Sequence, residues 1–195
     1  MVGTSGVARG RLVAVLLLAG AALAGCGSDG DDGGGPGGGP TPAASPPKTI
    51  TVTSSAFAEG ERIPERYTCK AGGKRPPLAW SGEVGDAASF AVVVDDPDAP
   101  GYTYLHWIAF GIPAGVRELP EGDLPTGVLE AANSAGGATW TPPCPPSGEH
   151  HYRFTVYALR AKPDLVAAVD GVEARRAIEA LAVRTGTLTG RYGNS

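Results

Sequence analysis

Val94-Asp95-Asp96-Pro97-Asp98-Ala99-Pro100 is the most informative segment of the chain for its architecture. It follows directly on Phe90 to Val94, a continuously apolar run of the kind that forms a strand buried on both faces. Pro97 pushes Asp96 toward an extended backbone, and Asp98 ahead of Ala99-Pro100 is a natural turn former. Taken alone, the segment reads as a solvated Asx turn. Its placement points further, because carboxylates at the end of a buried strand line whatever crevice opens there.

Outward from this turn the chain reads mostly as strands. Tyr104 to Ile112 is a second apolar run, ended by Pro113 and Gly115. His151 to Leu159 is a third, with Tyr152, Phe154, Val156 and Ala158 on one face. Thr49 to Phe57 alternates around β-branched residues as a leading strand, and Leu188 to Tyr192 as a short last one. One helix is expected from about Asp170 to Arg184: Asp170 caps it, Val172, Ile178 and Leu181 give it an apolar stripe, and Gly186 stops it. The sum is an all-β sandwich with one or two accessory α-helices.

The first 47 residues follow other rules. Arg9 and Arg11 precede an apolar run from Leu12 to Leu23, and small residues lead to Cys26, the pattern of a secretory signal over residues 1–25. The run falls short of the roughly 20 apolar residues a spanning helix needs. Leu23-Ala24-Gly25-Cys26 also looks like a bacterial lipobox, in which the cysteine is lipidated and becomes the new N-terminus; the plainer alternative is an ordinary signal with a chance cysteine. Acyl chains on Cys26 would anchor the protein outside the cytoplasm, on the cell membrane. Residues 26–47 are almost entirely Gly, Pro, Ser, Thr, Ala and Asp, which cannot bury enough apolar surface to order, so a disordered tether is expected. Its coil reach is on the order of 25 Å, extensible to roughly 70 Å. Residues 48–195 then form one domain.

The chain carries 16 basic and 20 acidic residues; loss of Arg9 and Arg11 with a signal leaves 14 against 20. No basic run occurs, so nucleic acid is excluded as a partner on electrostatic grounds. Besides Cys26, Cys69 and Cys144 remain, readable as a disulfide in an exported domain or as two small buried hydrophobes.

Two more segments hold polar chemistry. His106 lies within Tyr104-Leu105-His106-Trp107-Ile108-Ala109-Phe110, where alternation places it on the face of Tyr104, Ile108 and Phe110 and away from Trp107. Pro142-Pro143-Cys144-Pro145-Pro146-Ser147-Gly148-Glu149-His150-His151-Tyr152 is a proline-stiffened loop released into a strand, with His150 and Tyr152 on one face and His151 facing solvent on the other.

Together these segments resemble the phosphatidylethanolamine-binding protein (PEBP) family, in its bacterial branch often named Raf kinase inhibitor-like. The matching stretches are Ile63 to Cys69, Pro76-Pro77-Leu78-Ala79-Trp80, Val94 to Pro100, His106-Trp107, and Cys144 to Gly148 followed by His150 and Tyr152. The resemblance implies a PEBP-like Greek-key β-sandwich with a small anion pocket lined by Asp96, Asp98, Pro100, His106, His150 and Tyr152, and it slightly favours the Cys69–Cys144 bond. His106, His150 and the Tyr152 hydroxyl can donate to an anion. Asp96 and Asp98 would instead accept from the imidazoles or from a ligand amine, fixing the tautomer and raising the imidazole pKa. The chain departs from the family pattern at Thr139-Trp140-Thr141-Pro142-Pro143, where relatives carry Gly-Tyr-x-Gly-Pro: Pro142 has no N–H to offer, and Trp140 narrows the entrance or drops a hydroxyl.

The expected function is non-catalytic binding of a phospholipid head group or another small anionic or phosphorylated ligand, with membrane attachment through lipid and no cofactor. A second reading is inhibition of a protein partner, a serine protease or a kinase, since family members are described in both roles. A third, a metal-dependent or hydrolytic enzyme built on the His/Asp cluster, has no Gly-x-Ser-x-Gly, His-Glu-x-x-His or paired Cys-x-x-Cys to support it.

Overall fold

A computed structural model describes residues 49–193. The segments expected as signal and tether, with Cys26 as the expected lipidation position, lie outside the described residues. Two antiparallel sheets face each other. The smaller joins β1 (Thr51–Thr53), β2 (Leu78–Ser81) and β5 (Glu118–Leu119) in the order β1-β2-β5. The larger joins β3 (Ser89–Asp96), β4 (Tyr104–Pro113), β6 (Leu129–Glu130), β7 (Glu149–Leu159) and β8 (Ala182–Gly193) in the order β6-β4-β3-β7-β8. β3, β4 and β6 lie side by side while β7 returns to pair with β3, which is the Greek-key order.

β3 is central because its sequence leaves no polar face. Phe90, Val92 and Val94 enter the core between the sheets with Leu78, Trp80, Leu119, Phe154 and Val156. Ala91 and Val93 point the other way and pack with Ile108, Phe110 and Leu159 under α1 (Gly171–Leu181). No helix among the described residues is long and apolar enough to cross a membrane.

Four local differences from the sequence reading have identifiable causes. The leading strand pairs only over Thr51–Thr53, because the Ser54 hydroxyl donates to the Pro77 carbonyl at 2.6 Å and accepts from Ala56 N, turning the chain away. α1 is capped as expected, Asp170 Oδ1 accepting from the amides of Val172 and Glu173. It ends at Leu181, however, because Ala182 is already extended and opens β8. Its buried stripe is Gly171, Ala174 and Ile178, with Val172 49% exposed. Gly186 is no helix stop. It sits within β8 opposite Val156, where an added Cβ would fall 1.9 Å from the Ile50 carbonyl oxygen, so the close passage of the chain before β1 requires glycine. Besides α1, the described residues include a 3-10 turn at Glu65–Tyr67.

Candidate functional site

The turn after β3, the start of β7 and the loop before β7 meet at one end of the larger sheet around a cavity of about 200 Å³. Asp96, Pro100, His106, His150 and Tyr152 all line it, together with Tyr104, Thr141 and three further prolines, Pro142, Pro145 and Pro146.

Asp96 is held by its own turn. Its Oδ1 accepts from Asp98 N at 2.8 Å, and its Oδ2 accepts from His150 Nδ1 at 2.7 Å. Both side chains are nearly sealed, 5% and 8% exposed. A carboxylate only accepts, so His150 carries its proton on Nδ1. Nδ1 of His106 donates to the Thr141 carbonyl at 2.8 Å. Among the described residues neither Nε2 has a hydrogen-bond partner, and both rings line the cavity.

His106 reaches the cavity through a break in strand alternation. Val94 pairs with Trp107 and Asp95 with Leu105, so His106 is an extra residue, a β-bulge. It turns to the same side as Trp107, where its ring meets Tyr104 at 4.8 Å, Tyr152 at 5.2 Å and Trp140 at 6.4 Å. The expected companions Ile108 and Phe110 belong to the opposite face. Burial lowers the His106 pKa from the ordinary imidazole value, against the opposing pull of the Thr141 carbonyl and the Asp96 and Asp95 charges. Desolvation thus outweighs the neighbouring carboxylates, contrary to the expectation that they raise it.

Asp98 does not line the cavity. Its Oδ2 accepts from His151 N at 2.8 Å and from His151 Nδ1 at 2.7 Å, and the His151 bonds hold its carboxyl below the usual carboxylate range. The pair is half-exposed, so Asp98 clamps the turn to β7 from outside, and His151 faces solvent as expected. The Tyr152 hydroxyl is buried without a partner, and burial, reinforced by Asp96 and Asp98, pushes its pKa up.

Sequence reasoning missed the support behind the loop. The buried Asn133 amide donates to the Thr139 carbonyl and to Thr141 Oγ1, while its Oδ1 accepts from Ala135 N and Gly137 N. This fixes the carbonyl that orients His106. Asn133-Ser134-Ala135-Gly136-Gly137 is an Asx-turn sequence, and that was the available signal. Cys69 and Cys144 are joined in a disulfide that ties the 68–73 loop to the cavity wall, where Gly73 lies against the Pro142 ring. Trp140 packs its ring on His106, Trp107 and Phe154 behind the wall and does not narrow the entrance. Among the described residues no group of three or more His, Cys, Asp and Glu side chains is placed to hold a metal ion.

A Greek-key sandwich with a His/Asp cavity at one end defines a class of ligand-pocket β-domain. The sequence pattern of the phosphatidylethanolamine-binding protein family matches residues 53–193, and the chain belongs to that family. A UPF0098 protein of Mycobacterium tuberculosis is 43% identical over 181 residues, covering 88% of each chain. A second protein of that organism, named as a candidate lipoprotein, LppC, is 39% identical over 199 residues, covering 97% of this chain and 98% of its own. Among solved structures, Escherichia coli YbcL, titled a member of the mammalian PEBP family, is 34% identical with a TM-score of 0.72, covering 75% of this chain and 99% of its own. The PEBP homologue CT736 of Chlamydia trachomatis is 32% identical with a TM-score of 0.70, covering 76% and 99%.

Proposed function

We propose that the cavity is a non-catalytic binding site for a small oxyanion, such as the phosphate of a phospholipid head group or of another phosphorylated ligand. The observation that carries this reading is the pair of imidazole Nε2 atoms, on His106 and His150, presented to one small hollow by rings whose Nδ1 atoms are already committed. Binding is favoured over catalysis by the state of the candidate nucleophiles among the described residues that line the cavity: Cys144 is tied in the disulfide, the Thr141 hydroxyl accepts from Asn133, and the Tyr152 phenol is pushed away from ionisation. The likeness to a protein named as a candidate lipoprotein supports lipidation at Cys26 and attachment to the outer face of the cell membrane. Titration calorimetry of the purified protein with phosphoethanolamine tests the site. Heat of binding is expected from the native chain and none from His150→Ala; an unchanged isotherm in that variant refutes the site.

A further inference from the structure

We propose that the cavity selects oxyanions that bring their own proton, phosphate or a phosphate monoester in its singly charged form, over fully ionised anions of the same shape such as sulfate. The proposal rests on the oxyanion reading above and names the ligand class of that site.

The geometry that points to it is the direction of one hydrogen bond. The Thr141 carbonyl can only accept, so Nδ1 of His106 must carry a hydrogen in every protonation state. In the neutral ring, Nε2 is therefore a lone pair facing the cavity. A fully ionised oxyanion offers only lone pairs, and the two repel. Either the ring takes up a proton or the ligand supplies one through a P–OH group donating to Nε2.

The surroundings make the second course cheaper. Burial leaves His106 5% exposed and disfavours its charged form. The charged and titratable groups acting on the ring are Asp96 on β3, Tyr104 on β4, and His150 and Tyr152 on β7, with Asp95 acting through the sheet from its other face. Asp95 is neutralised by Arg153 at 2.7 Å and Arg175 at 2.9 Å, on the opposite side of the sheet. Asp96 keeps its carboxylate at the cavity and opposes a second negative charge on the ligand. The prolines of the wall, Pro100, Pro142, Pro145 and Pro146, contribute no backbone N–H in compensation. A site with this balance of donors and acceptors admits one negative charge and asks the ligand for a donor.

Inorganic phosphate and sulfate, nearly identical in shape, are the matched probes for titration calorimetry on the full chain. Between about pH 5.5 and 6.5, sulfate should weaken by up to about tenfold, because its binding requires protonation of the ring, whereas phosphate should change by less than about twofold. Repeating the sulfate titration in two buffers of different ionisation enthalpy should show uptake of about one proton per anion. In His106→Gln the amide donates at every pH, so the sulfate slope should fall well below that of the native protein. A slope that this substitution leaves unchanged overturns the proposal, as do equal slopes for the two anions or zero proton uptake with sulfate in the native protein, a measurement that does not depend on the variant folding. Binding of neither anion at any pH refutes the oxyanion reading itself, a result distinct from binding without discrimination.

Discussion

Removing the Cys69–Cys144 bridge should cost the domain a large share of its margin of stability. The bridge closes a loop with a sequence separation of 75. In the chain-entropy treatment a loop of that length restricts the unfolded ensemble by about 4 kcal/mol at 25 °C. Domains of this size are stable by only about 5–15 kcal/mol in total. A Cys69→Ser, Cys144→Ser double variant should therefore lose about 4 kcal/mol in urea unfolding and melt about 8–16 °C lower. The slope of unfolding free energy against urea is expected to rise somewhat, since the uncrosslinked chain exposes more surface. Because Cys144 also lines the cavity, the variant should bind phosphoethanolamine more weakly than the native protein at a temperature where both are folded. A loss below about 1 kcal/mol would show that the unfolded chain gains little freedom without the bond, and the reasoning would fail.

Three other outcomes are expected. Gly186→Ala places a methyl 1.9 Å from the Ile50 carbonyl oxygen, so the chain before β1 must move; a loss of about 3 kcal/mol or more in denaturant unfolding is expected, and a neutral result would mean that contact is not made. His106 should titrate below about pH 6.5 when its ring is followed by proton NMR. Since its folded pKa is depressed and the unfolded chain binds the proton more readily, its contribution to stability is complete above about pH 6.5 and is lost as pH falls toward the folded value. Asp96→Asn removes the charge and exchanges one of two buried accepting oxygens for a donor, so either Asp98 N or His150 Nδ1 loses its acceptor; this should cost about 1.5–3 kcal/mol and weaken anion binding, whereas Asp98→Asn, outside the cavity and half-exposed, should cost less than about 1 kcal/mol and leave the cavity ligand bound; equal effects on binding would contradict the separation of the two carboxylates.

The architecture was legible because the buried strands advertise themselves. Phe90 to Val94 has no polar face to give to solvent, and Asp170 has the right chemistry three residues before the Glu173 amide it caps. The gathering of Asp96, His106 and His150 was legible only through the resemblance of their segments to the family pattern, since taken alone the turn reads as solvated and His106 as core. What the sequence could not display was anything set by a neighbouring chain segment. The bulge at His106 depends on the pairing of β3 with β4, and alternation counted along one strand necessarily misses it. Gly186 looked like a helix stop because glycine serves both purposes, and only the passing Ile50 carbonyl distinguishes them. Asp98 and Asp96 are chemically alike and two residues apart; the side of β7 that each meets decides that one is inside and the other is a clamp.

The proline rim of the cavity has a consequence for how ligands are sorted. Four pyrrolidine rings have no torsional freedom to surrender when a guest arrives, so little of the binding energy is lost in ordering the wall. The same stiffness denies the mouth any means of yielding to a bulkier guest. Lengthening or branching a ligand past the available hollow should therefore cut affinity off abruptly, as a gauge does, where a pliable loop would let it decline by degrees.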